Sequence, residues 1–175
     1  MDDAAIQAFT TEARRYCSLI EGNEFANSWM FALACLTHVL RLYEHALRLP
    51  EIEAENLNLL SRVEHEPWQR MGEHVGRRLA RDYYWETFEP LEQEKPEPVV
   101  GSLSDGLADI WRDIKPGVAE IDRGKQTSIS DAVWHWRSSF ESHWGHHAAG
   151  AIFALHAVCF GPFADGSRAQ RYPAV

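Results

Sequence analysis

The sequence predicts an all-α protein: one domain, a bundle of four to five main helices, and no β-sheet. Three observations predict it. Apolar residues recur three and four positions apart over long segments, which is the period of a helix. The breaks between those segments carry helix-ending and helix-starting residues, among them Pro50, Ser102, Ser130 and Gly161-Pro162. No segment of useful length alternates apolar and polar residues as a half-buried strand does. At 175 residues the chain has the usual size of one domain, and seven Trp, eight Phe and five Tyr supply a core that needs neither a disulfide nor a metal. The helical domain is expected over 1–160, with an aromatic and acidic connecting segment at about 82–101 and a frayed tail over 161–175.

The elements follow in order. Ile6, Phe9, Ala13, Tyr16, Cys17 and Ile20 make one stripe of a helix from about Ala4 to Glu21, ended by Gly22-Asn23. A second helix from about Asn27 to Leu49 stops at Pro50. Trp29, Leu33, Leu36, Leu40, Tyr43 and Leu47 form one stripe on it, and Phe31, Cys35, Val39 and Leu42 form another beside it. So wide an apolar surface belongs at the centre of a bundle. Residues 51–65 are acidic, with a short turn of helix placed at Leu57–Val63. Pro67 opens a helix reaching about Ala80, since a proline is tolerated in a first turn. The proline-bearing stretch from Glu92 to Pro98 should be extended. Ser102, with Asp105 three residues on, caps a helix that Pro116-Gly117 should kink or break, with a continuation to Arg123. Ser130 caps a long last helix running to about Cys159.

Charge and cysteine content restrict the function. Seventeen basic against 26 acidic residues leave a net charge of −9, which opposes approach to a nucleic-acid backbone or an anionic membrane. Arg77-Arg78 with Arg81 is the one basic cluster, and the first two diverge on a helix. Cys17, Cys35 and Cys159 are odd in number, far apart and without a Cys-x-x-Cys pair, which predicts reduced thiols. Met1-Asp2-Asp3 lacks the basic character of a secretory signal, and no apolar run reaches the ~20 residues of a membrane span. A cytoplasmic protein is expected, with no nucleic-acid or membrane partner.

The common catalytic signatures are missing. Gly101 to Gly106 follows no predicted strand and has no Lys where a phosphate loop needs one; there is no nucleophile elbow, and no His pair brackets a Glu in the metalloprotease pattern. Three features remain. Asp105, Asp109 and Asp113 stand four apart on one side of a helix, a row that could hold a hard divalent cation. At about 100° per residue, however, Leu103, Leu107, Ile110 and Ile114 share a face from which that row points away, so a solvated acidic face is expected. His143 and His147 are spaced i, i+4, which lets two imidazoles share one ion. On a wheel of the last helix the apolar face is Val133, Trp136, Phe140, Trp144, Ala148, Ala151, Leu155 and Val158, with His147 inside it and His143 on its shoulder. Arg137 also falls inside that face, with Glu141 one turn later. A buried guanidinium needs a carboxylate or an anionic ligand. It either forms a structural pair with Glu141, completed by Asp109 or Glu44, or anchors an anion-binding cleft walled by Trp136 and Trp144.

Three stretches carry a resemblance: Tyr84–Pro90 (YWETFEP), Val99–Asp113 (VVGSLSDGLADIWRD) and Trp134–His147 (WHWRSSFESHWGHH). They resemble a bacterial family known as domain of unknown function 5063, and the likeness runs from about Phe9 to His156. Gly106 stands where that family tends to carry an acidic residue, and Pro116-Gly117 interrupts what is usually continuous helix. The resemblance implies a stand-alone helical domain of the bacterial cytoplasm. It groups Asp109, Asp113, Arg137, Glu141, His143 and His147, and it implies no activity, substrate or cofactor.

Two functions are therefore weighed. The first is a non-catalytic binding or interaction module for a protein or a small anion, with Arg137, Glu141, Trp136, Trp144, His143, His147 and Asp109 as the ligand site and no cofactor. The second is a metal-dependent, hydrolase-like enzyme using Asp109, Asp113, His143 and His147. The first is favoured because the second requires the Asp row to turn inward.

Overall fold

A computed structural model describes residues 3–55, 62–87, 91, 97–124 and 127–161. The chain is an all-α bundle built from α1 (Asp3–Glu21), α2 (Ser28–Ala46), α3 (His65–Gly76), α4 (Leu103–Asp122), and a last helix in two parts, α5 (Thr127–Ser139) and α6 (Gly145–Phe160). One addition corrects the expectation of no β-sheet. The strands β1 (Tyr83–Glu86) and β2 (Val99–Ser102) pair antiparallel, with Tyr83 opposite Ser102 and Trp85 opposite Val100. Four residues per strand hold no alternation long enough to read from sequence, and only the aromatic and β-branched composition favours pairing.

Local chemistry sets most boundaries where they are expected. The Asn27 side chain accepts from Met30 N at 2.9 Å, and Ser102 Oγ accepts from Asp105 N at 3.2 Å, each supplying an acceptor for a free N–H of a first turn. Asp82 reinforces the second cap, accepting from Ser104 N at 2.7 Å. α3 starts two residues before Pro67. Ser130 is not a cap: the last helix begins at Thr127, and Ser130 lies buried inside it. Most of Leu57–Val63 and of the stretch from Glu92 to Pro98, and all of 162–175, fall outside the described residues.

α4 is the axis of the bundle, packing on α1, α3, α5 and α6, while α2 packs on α1 and α6. Leu103, Leu107, Ile110 and Ile114 are fully enclosed, as their spacing predicts. On α2 the second stripe carries the core: Phe31, Cys35, Val39 and Leu42 are sealed, whereas Leu40, expected in the core, is 48% exposed. Pro116 neither kinks the helix to a stop nor breaks it, and α4 runs through to Asp122. A proline removes one backbone donor and crowds the preceding turn, and here the last helix braces that turn. His135 Nε2 donates to Asp113 O at 3.1 Å and Trp136 Nε1 to Ile114 O at 3.0 Å. Gly117 leaves the room, since a Cβ there would lie 2.5 Å from the Trp136 indole.

Candidate functional site

The last helix is not a uniform α-helix. Phe140–Trp144 forms a π turn, in which Gly145 N donates to Phe140 O five residues back. A wider turn frees carbonyls of the surrounding backbone. Ser139 Oγ caps His135 O and Ser142 Oγ caps Ser138 O, both at 2.7 Å. Gly145 is required, because a Cβ at this position would collide with Phe140 O. The turn changes which side chains face α4. Trp136 and Trp144 both stay fully buried, while His147 is half-buried and the His143 side chain is 45% exposed, at the seam between α4 and the last helix.

Across that seam stand two members of the Asp row, which corrects the expectation of a solvated face. Asp105 is exposed, but Asp109 is 8% exposed and the Asp113 side chain 15%. His143 Nδ1 lies 2.8 Å from Asp113 Oδ2, and His147 Nε2 lies 3.6 Å from Asp109 Oδ2. The two imidazoles meet edge to face with ring centres 4.7 Å apart. One donor atom from each of Asp109, His143 and His147 falls within 4.8 Å of the others. In a tetrahedral site with bonds near 2.1 Å the donor atoms sit about 3.4 Å apart, so the side chains would have to close by up to about 1.4 Å to hold an ion. Burial pushes the Asp109 carboxyl up, against the lowering effect of His147 and His143, and burial pushes the His147 imidazole down. A dication would favour the ionised carboxylate and accept the neutral imidazole.

Two further groups flank the cluster, neither singled out as a site residue by the sequence. Arg112 Nη1 approaches Asp109 Oδ1 at 3.9 Å. Glu86, from β1, accepts from Tyr84 Oη at 2.9 Å and is close enough for its charge to act on His147. The missing signal for Glu86 was the hairpin itself, which carries it to α6.

Arg137 and Glu141 come together elsewhere, away from Asp109. The guanidinium donates to Leu49 O through Nη1, to Glu51 Oε1 at 3.0 Å through Nη2, and pairs with Glu141 Oε1 at 3.2 Å through Nε. Its side chain is 28% exposed, so it sits at the edge of the apolar face rather than inside it. The shallow cleft around it is walled by Trp134, Ile52 and Ser138. Trp136 and Trp144 are in the core, where Trp136 packs on Phe9 and Trp144 on Phe140, each with ring centres 4.8 Å apart, so neither lines a cleft.

A family model described as Domain of unknown function (DUF5063) matches residues 2–160. The crystal structure of protein BF1032 from Bacteroides fragilis is similar, with a TM-score of 0.79 and 25% sequence identity. The alignment covers 93% of this chain and 96% of that one. No curated protein matches the sequence.

Proposed function

We propose, for a chain that belongs to the DUF5063 family and takes no assigned activity from it, that it binds one divalent first-row transition metal between α4 and the last helix. Asp109, His143 and His147 are the ligands, and Asp113 holds His143 through its other ring nitrogen or joins the ion directly. The observation that carries the reading is the convergence of two i, i+4 pairs from different helices into one cluster whose three donor atoms lie within 4.8 Å. Two imidazoles and a carboxylate suit Zn²⁺, Fe²⁺, Co²⁺ or Mn²⁺, and three protein ligands leave coordination positions for water or a substrate. An ion held this way polarises a bound carbonyl or phosphoryl oxygen and makes coordinated water acidic, which is the chemistry of a metal-dependent hydrolase.

The test is calorimetry and thermal melting of untagged protein stripped with chelator. We expect one equivalent of Zn²⁺ or Mn²⁺ to bind and the melting temperature to rise with the logarithm of metal concentration. His147→Ala and Asp109→Asn should each remove the response. Stoichiometric binding that survives in both variants, or none in the wild type, overturns the reading.

A second reading, the interaction module, is favoured by the hairpin, whose outer face leaves Tyr83 75%, Trp85 67% and Val100 59% exposed. Large apolar side chains gathered on one face are typical of a contact surface. The same experiment decides between them, since a melting temperature indifferent to metal leaves that face as the functional surface. Among the described residues no helix is long and apolar enough to cross a membrane. Three buried cysteines, none in a disulfide, support a reducing compartment such as the cytoplasm.

A further inference from the structure

We infer that the ion site proposed above takes a phosphate-type oxyanion, with one oxygen on the ion and others on Arg112; the inference rests on that metal reading. Arg112 stands three residues after Asp109 on α4, on the side that meets Trp68 of α3. The Asp109 carboxylate is shared between two neighbours. Its Oδ2 lies 3.6 Å from His147 Nε2, and its Oδ1 lies 3.9 Å from Arg112 Nη1. The width of one carboxyl group therefore separates the guanidinium from the place where the three ligands converge.

A separation of 3.9 Å is an ion-pair distance and too long for a hydrogen bond. Other arginines of the bundle are firmly seated: Arg14, Arg78 and Arg137 each donate to an oxygen at 3.0 Å. Arg112 is different, because among the described residues its guanidinium donates to no acceptor. The guanidinium carbon lies 5.9 Å from the centre of the Trp68 ring, and the side chain is partly exposed. The Trp68 indole beside it has its Nε1 sealed from solvent, also without an acceptor among the described residues. A buried donor with no acceptor is uncommon in a folded protein. Donors without acceptors thus gather on the α3 side of Asp109, held there by one aromatic ring and one carboxylate and consumed by neither.

An ion and a free guanidinium this close select their ligand. With neutral imidazoles, the charges of Asp109 and Asp113 offset a dication, and Arg112 supplies the positive charge next to it. Asp105, one turn earlier, is exposed, and Glu86, whose charge acts on His147, is engaged by Tyr84. An oxyanion with one oxygen about 2.1 Å from the ion and another about 2.8 Å from a guanidinium nitrogen spans a gap of this size. The planar guanidinium fork pairs with two oxygens at once. A phosphate offers that edge while a further oxygen stays on the ion, whereas a carboxylate has two oxygens in all and must give one up.

The test uses protein loaded with one equivalent of Co²⁺, whose visible bands report a change of ligand on the ion, titrated with inorganic phosphate and with phenyl phosphate. Inorganic phosphate should shift the bands of wild type. A matching shift with phenyl phosphate assigns a phosphomonoester, and phenyl phosphate without effect assigns the free ion. Arg112→Met should raise the phosphate dissociation constant by at least about tenfold, the scale of a lost charge-assisted hydrogen bond. The Co²⁺ dissociation constant should stay within about threefold of wild type. Arg112→Lys keeps the charge and loses the fork, so it should fall between the two. Phosphate affinity in Arg112→Met equal to wild type overturns the inference and leaves the metal site standing. Cobalt bands indifferent to phosphate, or equal phosphate binding by chelator-stripped protein, do the same. A large loss of Co²⁺ affinity in both Arg112 variants also overturns it, by making the residue a support for Asp109. Wild type that shows no cobalt bands overturns the inference together with the metal reading beneath it.

Discussion

Arg137 shows how a charged residue on an apolar helix face is accommodated at the edge of a bundle. Its stem lies against the last helix while the guanidinium reaches the carbonyl of Leu49, just past the end of α2, and two carboxylates, Glu51 and Glu141, that are themselves 86% and 62% exposed. Water screens pairs of that kind, and exposed ion pairs contribute little. The carbonyl bond is the larger part, because it satisfies the backbone acceptor of a residue that is itself buried, Leu49. Arg137→Met should therefore lower unfolding free energy by about 1–2 kcal/mol in a urea titration, less than the ~3–5 kcal/mol of a sealed pair. A loss above that range would mean the guanidinium is enclosed in solution. Arg78 makes the same kind of contact at the end of α1, donating to Leu19 O and Ile20 O at 3.1 and 3.0 Å with its guanidinium carbon 3.7 Å from the centre of the Phe31 ring.

At the scale of elements, the last helix depends on Gly145. Adding one methyl there drives it into Phe140 O, and the helix must either distort or abandon the π turn. Gly145→Ala should destabilise by about 1–3 kcal/mol, the usual range for overpacking a filled site, although alanine is the better helix former. Metal affinity should fall with it, because the turn aims His143 at Asp113. A variant as stable as wild type, with metal binding intact, would show that the turn is dispensable. The sequence revealed the ingredients of this region and missed its geometry. The spacing of His143 with His147 and of Asp109 with Asp113 was legible, as were the caps at Asn27 and Ser102. The inward turn of Asp109 was not, because a wheel assumes one apolar face and α4 touches four helices. A helix enclosed on nearly every side buries its polar stripe as well, and no periodicity reports that. The hairpin was missed because twelve residues, several of them acidic or proline, separate its two short strands.

At the scale of the whole molecule, the cysteines report how tightly the bundle is closed. All three are buried: Cys17 in α1, Cys35 in α2 and Cys159 near the end of α6. Burial pushes the Cys17 thiol up to about 12 and the Cys35 thiol higher still. A thiolate is the reactive form, so native protein at pH 8 should not react with a disulfide reagent over minutes, and all three thiols should react once guanidinium unfolds the chain. Rapid labelling of any one thiol in native protein would mean that the helix bearing it opens locally.

The π turn also bears on the two ends of the last helix. Trp136 and His147 stand eleven positions apart. In an unbroken α-helix that interval is three turns and about 20° over, at about 100° per residue, so a core tryptophan and the half-buried imidazole at the α4 seam would compete for one bearing. The wide turn acts as an inserted residue and offsets the second half of the helix by up to about 100°. The half that fills the core and the half that carries the histidines are thereby set out of phase. Shortening the turn by one residue would bring them back into step, and then either the indole would leave the interior or the imidazole would leave the seam with Asp109.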